Sequence, residues 1–495
     1  MELYLQIFQV LVDPTVLFFI IAGTVGGIIL GAIPGLGGSI GIALLLPFTF
    51  TLEPAVALLM LGGIYMGASY GGSISAILLN TPGTAEAACT SLEGYPLSMQ
   101  GRGREALHYS ILSSVVGGAF GVIVLIFFTP LLAGFALEFG PGQVFLIAIA
   151  GLTIVGSISS GNINKGIFAA CFGIILSLVG ADLMTGIDRF TFGIPQLRSG
   201  IPLVPVIIGL FAIAEMLEQA SRSSGRMVDV PFENSSVIHS AKKLIKKPML
   251  LSKSSLIGTL IGIIPGAGGA VATFIAYGEA KRTSKKKELF GKGSLEGLTA
   301  AEASNNAAVG GSIIPLLALG VPGSTTTAIM FGALTIHGLI PGPRLFIDHQ
   351  EIAYTFIIGM LLTVLIMGII GIYGVSLFSQ VLKVKLVFII PIVLVLSIFG
   401  AYSLQNSMLD VLIAIVFGII GFLFKKVGIP NAPVILGLIL GSIAETNLRQ
   451  AMTLSNSQGI NLFQYLFTSP ISIVITFIVV IIIFSAFKNQ RKNLS

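Results

Sequence analysis

Gly31-Ala-Ile-Pro34-Gly35-Leu-Gly37-Gly38 and Gly262-Ile-Ile-Pro265-Gly266-Ala-Gly268-Gly269 decide how this chain folds. Each sits in the middle of an apolar run, residues 15–49 and 254–278. Proline removes a backbone donor, and glycine weakens a helix interior. At membrane depth such a break survives only where the backbone is buried in protein or lines a cavity. The second run is flanked by basic segments. Arg222, Arg226, Lys242, Lys243, Lys246, Lys247 and Lys253 precede it, and Lys281, Arg282, Lys285, Lys286, Lys287 and Lys292 follow. The positive-inside rule puts both segments in the cytoplasm. The run between them therefore enters and leaves on one side, as a helical hairpin with Pro265-Gly266 at its tip.

The rest of the composition agrees with a membrane body. Of 495 residues, 54% are hydrophobic and 10% charged; a soluble domain carries about 25% charged residues. The net charge of +6 is concentrated in a few loops, which marks topology rather than nucleic-acid binding. Cys89 and Cys171 stand alone and the histidines are scattered, so no disulfide framework or metal site is expected. Met1-Glu2-Leu3-Tyr4 lacks a basic region, so no cleavable signal is expected. Unbroken spans are expected at 107–132, 143–158, 164–180, 201–218, 352–380, 386–401, 408–424, 432–446 and 470–487. Two further apolar runs, 54–84 and 298–338, are broken by Gly and Pro.

These runs repeat as well. Gly71-Gly-Ser-Ile74 with Pro82-Gly83-Thr84 recurs as Gly310-Gly-Ser-Ile313 with Pro322-Gly323-Ser324. Five crossings separate the two hairpins, which makes the repeats inverted. Lys425, Lys426 and the tail with Lys488, Arg491 and Lys492 fit the inside, and no Lys or Arg occurs before Arg102. The expected organisation is a first transmembrane repeat at 1–221, a basic cytoplasmic linker at 222–253, a second repeat at 254–450, and a C-terminal span and tail at 451–495. The fold class is all-α and polytopic. Each repeat has a re-entrant hairpin and a Pro-Gly-broken helix, with a binding site near the midplane. A rigid unit holding these elements would rock or slide against a scaffold of full spans.

The motifs resemble those of the large membrane subunit of tripartite tricarboxylate transporters. They are Gly31–Gly38, Ile64–Ile74, Ile77–Thr84, Glu93-Gly-Tyr-Pro96, Ile261–Gly269, Phe290–Gly293, Glu296-Gly297, Glu302-Ala-Ser-Asn-Asn306, Gly310-Gly311, Pro315, Leu319–Ser324, His337-Gly338 and Pro341-Gly-Pro343. The resemblance covers most of the chain; beyond about residue 400 it carries little signature. It implies a secondary transporter for citrate or a related tri- or dicarboxylate, driven by a Na⁺ or H⁺ gradient, in the inner (plasma) membrane. It also implies two partners on separate chains: a small integral membrane subunit and an extracytoplasmic solute-binding protein.

A carboxylate in a membrane needs donors and positive potential, and a helix N-terminus supplies both. The substrate-site candidates are therefore the breaks. In the first repeat these are Pro34, Gly35, Gly37, Gly38 and Ser39, then Asn80, Pro82, Gly83 and Thr84. In the second they are Pro265, Gly266, Gly268 and Gly269, then Pro322, Gly323, Ser324 and Thr325, with the amides Asn305 and Asn306. Close helix packing through glycine is the competing explanation, and two symmetric copies weigh against it. Glu302, Asn305 and Asn80 are candidates for the coupling ion; a cytoplasmic membrane edge near Lys292 is the competing place for Glu302. Glu86 and Glu93 read as polar loop, Lys165, Asp182, Asp188, Arg189 and Arg198 as solvated loop ends, and His337 as a packing residue. No Ser/Lys, HExxH or Asp-pair constellation occurs, so no enzyme and no cofactor are expected. The rivals are an anion channel with the Pro-Gly loops as its filter and a carrier of the same fold that works without a binding protein.

Overall fold

The computed structural model describes residues 2–158, 163–182, 185–221, 235–266, 268–374, 386–467, 469–477 and 480. Arg222, Arg226, Lys488, Arg491 and Lys492 lie outside these residues, as do the far ends of the spans expected at 352–380 and 470–487.

After α1 (Glu2–Val12), Asp13-Pro14 starts a new helix, α2 (Pro14–Ala32). The Asp13 carboxylate accepts from the backbone N–H of Thr15 at 2.7 Å, and proline takes the first helical position, where no donor is needed. The Pro34-Gly35 break ends α2, and α3 (Gly37–Thr49) packs back against it. Next come α4 (Pro54–Leu79) and α5 (Ala88–Leu97), then a π-helical turn at Ser98–Arg102 leading into α6 (Gly103–Ala136). The first half continues with α7 (Pro141–Ile158), α8 (Ile163–Ser177) and a two-stranded antiparallel hairpin, β1 (Gly180–Ala181) and β2 (Asp188–Arg189). It closes with α9 (Leu203–Ile207) and α10 (Ala214–Ser221), which a second π-helical turn joins.

The second half follows the same order. After α11 (Val237–Ile245), α12 (Pro248–Ile263) and α13 (Gly268–Thr283) form the second pair of packed legs, and α14 (Leu295–Leu319) and α15 (Thr325–Ile336) the second broken helix. The rest is α16 (Leu345–Asp348), α17 (Gln350–Tyr373), α18 (Leu386–Ser403), α19 (Met408–Lys426), α20 (Ala432–Ser457) and α21 (Leu462–Phe467). Among the described residues, six helices are long and apolar enough to cross a membrane.

One expectation needs correction at the level of elements. The stretch after Thr84 was read as polar loop, yet Ala88–Leu97 is a helix with Glu93 fully buried in it. Glycine and proline in Glu93-Gly-Tyr-Pro96 hide it from a propensity reading.

The compact units do not follow the sequence halves. One unit comprises Met1–Ala133 and Gln219–Leu396; the other comprises Gly134–Glu218 and Ser397–Ser495. The first holds both hairpins and both broken helices. Its centre is α4 and α14, each with 22 residues buried, on every side of the helix.

Within this unit the packing of one repeat is reproduced in the other. A Cβ on Gly27 would lie 2.4 Å from the Ile64 carbonyl oxygen, and one on Gly258 2.3 Å from that of Ser304. Gly31 meets Ala68 as Gly262 meets Ala308, at 2.3 and 2.6 Å. Gly83 lies over the Gly31 carbonyl as Gly323 lies over that of Gly262. Residues of α2 and α12 thus match at an offset of 231, and those of α4 and α14 at 240. Contact sets the register where the motif misleads by one: Gly71 meets Ile28 as Gly311, not Gly310, meets Thr259. Backbones this close leave no room for side chains, which is how small residues join helices in lipid.

In the second unit, Gly173 of α8 and Gly437 of α20 make the same kind of approach. Asp182 was expected at a solvated loop end. Only 6% of it is exposed, and it pairs with Arg449 at 2.9 Å and with Arg189 at 3.5 Å. Arg189 also reaches Glu445 at 2.6 Å. Lys425 pairs with Glu215 and Glu218.

Candidate functional site

The four Pro-Gly breaks come together as two pairs. The tip between α2 and α3 uses Gly35 at φ 86° and Gly37 at φ 44°; the tip between α12 and α13 uses Gly266 at φ 78° and Gly268 at φ 68°. Only glycine takes these left-handed values without strain. Gly37 faces the Gly83 carbonyl and the Thr84 methyl, with a Cβ at 3.8 Å from each. In the second pair, Gly266 N–H donates to the Gly323 carbonyl at 3.0 Å.

Two side chains tie the pairs to each other. Tyr65 of α4 lies against Gly38 of the first tip, and its hydroxyl reaches Ser324 Oγ at 2.9 Å and Ser312 Oγ at 3.0 Å in the second repeat. Glu86, just past the first break, lies against Gly269 of the second tip; a Cβ there would be 2.6 Å from Glu86 Cγ. Thr273 Oγ1 donates to the Glu86 carbonyl at 3.3 Å. Tyr65 was not singled out from the sequence, and Glu86 was read there only as polar loop.

The half-helices that begin here are capped differently. Ser324 Oγ accepts from Thr327 N–H at 3.2 Å, and Thr327 Oγ1 accepts from Ser324 N–H at 2.8 Å, a reciprocal capping box that places Thr325 first in α15. Thr84 Oγ1 accepts from Ala87 N–H at 3.3 Å ahead of α5. The start of α3, where Ser39 stands half-buried, has no side-chain cap. Pro34, Pro82 and Pro265 are half-buried and Pro322 is buried.

The amides behave otherwise. Asn80 is the exposed C-cap of α4, in left-handed conformation at φ 55°; its counterpart Gly320 caps α14 at φ 70°. Its residue type follows from backbone geometry. Asn305 and Asn306 are buried between α14 and α4: Nδ2 of Asn305 donates to Ser69 O at 2.9 Å, and that of Asn306 to Met66 O at 3.3 Å. Among the described residues, each leaves a buried Oδ1 without a partner. Met66 is the counterpart of Asn306, so this contact marks where the two central helices cross.

Glu302 stands at the centre of a hydroxyl cluster. It is fully buried, and its carboxylate accepts from Ser73, Thr90, Ser110 and Ser114. Glu93 holds a second buried carboxylate. It accepts from the N–H groups of Gly291 at 2.6 Å, Gly293 at 2.9 Å and Ser294 at 2.7 Å, and from the Tyr277 hydroxyl at 2.7 Å. It thereby fixes the loop that leads into α14. His337 caps α15, with Nε2 3.4 Å from Thr49 Oγ1, a packing role.

This arrangement coincides with a family assignment. The family described as the tripartite tricarboxylate transporter TctA family matches residues 17–436. The chain belongs to that family. Both hairpins, both breaks and every candidate site residue of this TctA-family chain fall inside the matched range. It is similar to an uncharacterized 52.8 kDa protein in the TAR-I ttuC' 3' region of Agrobacterium vitis, at 35% identity over 453 residues, 91% of this chain and 90% of that protein. It is also similar to an uncharacterized protein in the TAR-II ttuC' 3' region of the same organism, at 34% identity over 202 residues, 41% of this chain and 84% of the relative. No solved structure matches it. The TctA-family chain is a multi-pass membrane protein of a transporter family.

Proposed function

We propose that this chain is the permease subunit of a secondary active carrier that imports citrate or a related tri- or dicarboxylate, coupled to a Na⁺ or H⁺ gradient. The observation that carries this reading is the gathering of four Pro-Gly breaks in one compact unit, with Tyr65 and Glu86 linking the two pairs. The tips offer what a carboxylate needs: backbone N–H groups at helix starts, and the hydroxyls of Ser39, Tyr65, Thr84, Ser324 and Thr325. The inverted repeats let this site face either side in turn, and the buried acid Glu302 is the coupling group. Membership of all four breaks in one compact unit supports their motion as a body. The partners are a small integral membrane subunit and an extracytoplasmic solute-binding protein, and the place is the inner membrane.

The test is radiolabelled citrate uptake into proteoliposomes holding this chain, with and without the two partners, under an imposed Na⁺ or H⁺ gradient. Saturable uptake that needs the partners and one gradient is the expected result. Uptake without partners selects the stand-alone carrier. Non-saturable flux that follows the membrane potential selects the channel. Absence of uptake across a panel of di- and tricarboxylates would remove the substrate assignment.

A further inference from the structure

Glu302 lies in the buried length of α14, and three other helices send hydroxyls to it. Oε1 accepts from Ser73 Oγ of α4 at 2.7 Å and from Thr90 Oγ1 of α5. Oε2 accepts from Ser110 Oγ and Ser114 Oγ of α6, at 2.7 and 3.1 Å. All five side chains are 0% exposed. Among the described residues, every hydrogen-bond partner of this carboxylate is a hydroxyl, and a carboxylate buried without a cation is costly to keep ionised.

The chemistry of the shell says what can neutralise it. A lysine or arginine would hold the carboxylate ionised. A hydroxyl both donates and accepts, so the same shell serves either form. When the carboxyl is protonated, one hydroxyl turns to accept its proton and the others go on donating. Serines on α6 have a further outlet, since their hydroxyls can turn to a carbonyl one helical turn back. A metal cation would have to stand between oxygens that are here in direct hydrogen-bond contact. A proton needs no such gap.

We propose that Glu302, Ser73, Thr90, Ser110 and Ser114 form a buried proton-binding site, and that one proton taken up there accompanies each carboxylate transported. The second clause rests on the permease reading. The step is balanced by water alone: a proton from hydronium adds to a carboxylate lone pair on one side and returns to water on the other. Among the described residues, Tyr70 of α4 and Cys89 of α5 are titratable groups that feel the charge of Glu302. Glu93 lies one turn beyond Thr90 on α5, its carboxylate already held by the 291–294 loop, and α6 faces the site with Ser110 and Ser114.

The experiment uses the full chain with its two partner subunits in proteoliposomes, and infrared difference spectra of the same protein. The carbonyl band of a protonated, water-shielded carboxyl should grow as pH falls and be absent in Glu302→Gln. Its persistence in that variant overturns the site. In Ser110→Ala/Ser114→Ala, two donors to the ionised form are gone, so the midpoint of the band should move to higher pH; an unmoved midpoint also overturns it. For coupling, with the membrane potential clamped at zero, one pH unit should sustain a ratio of the transported carboxylate of about tenfold per proton at symmetric Na⁺, and Glu302→Gln should lose both this accumulation and the pH dependence of citrate exchange. Wild-type accumulation driven by Na⁺ alone, or unaltered pH-driven accumulation in Glu302→Gln, overturns the coupling. Failure of wild-type citrate exchange would instead strike the permease reading, while the infrared titration would still decide the site.

Discussion

At the scale of single residues, Tyr65 has the sharpest consequence. It touches one hairpin tip and bonds to the cap of the opposite repeat, so a lost hydroxyl should be felt in substrate affinity rather than in folding. Interhelical hydrogen bonds in membranes are worth about 0.6–1.7 kcal/mol. Tyr65→Phe should therefore raise the KM for the carboxylate about three- to eighteenfold with little change in yield; a KM within twofold of wild type would mean the hydroxyl is only packing. The breaks themselves were readable in the sequence, because glycine and proline act on their own backbone. Tyr65, Ser73, Thr90, Ser110 and Ser114 were not: α4 is buried on all faces, so periodicity points nowhere along it, and the hydroxyls of α5 and α6 acquire meaning only through distant partners. The partners of these side chains lie 188 to 259 residues away along the chain. A usable signal existed in the mismatches between repeats. Aligned at an offset of 240, Tyr65 faces Asn305, Gly72 faces Ser312 and Gly62 faces Glu302. Each is a polar residue where the symmetry is broken.

At the scale of elements, each hairpin must be held at its base and each broken helix at its ends. The loop ahead of α14 depends on Glu93. Its replacement by alanine leaves three backbone donors without their carboxylate, and a hydrogen bond to a charged group contributes about 1.5–3 kcal/mol. In Glu93→Ala, the amides of Gly291, Gly293 and Ser294 should exchange with solvent at least about tenfold faster, since 1.4 kcal/mol already means tenfold. Unchanged exchange would show that Tyr277 and Phe290, stacked edge-on at 5.4 Å, hold the loop by themselves. The base of the second hairpin is an ion cluster: Glu279 of α13 accepts from Arg282 at 2.7 Å and from Lys253 of α12 at 2.6 Å. Arg282 first, and Lys253 next, hold the Glu279 carboxyl down to about 2 from an ordinary 4.5. A lowered carboxylate stabilises above its ordinary pKa and fades as pH falls toward the folded value. The clamp is therefore complete at pH 5, and distances between spin labels on α12 and α13 should agree at pH 7 and pH 5. Splaying of the legs at pH 5 would contradict it.

At the scale of the molecule, the open matter is the direction of the repeats. Matching contacts at offsets of 231 and 240 show that the two hairpin-and-break assemblies are built alike, yet like assemblies arise from parallel as well as inverted repeats. Charge argues for inversion. The second hairpin is bracketed by Lys253 at its entry and Lys281 and Arg282 at its exit, whereas the first has no basic residue near either end. Positive segments stay inside, so Thr51, at the foot of the first hairpin, belongs outside. Thr51 and Lys281 are both exposed, and Thr51 is the counterpart of Arg282 beside it. With exposed Cys171 replaced by serine and buried Cys89 kept, an impermeant maleimide should label Thr51→Cys in intact cells and Lys281→Cys only after the membrane is opened. That pattern lets equivalent half-helices face opposite compartments in turn, as alternating access around the breaks requires. Labelling of both from one side would make the repeats parallel, and the exchange of access between compartments would then need another structural basis.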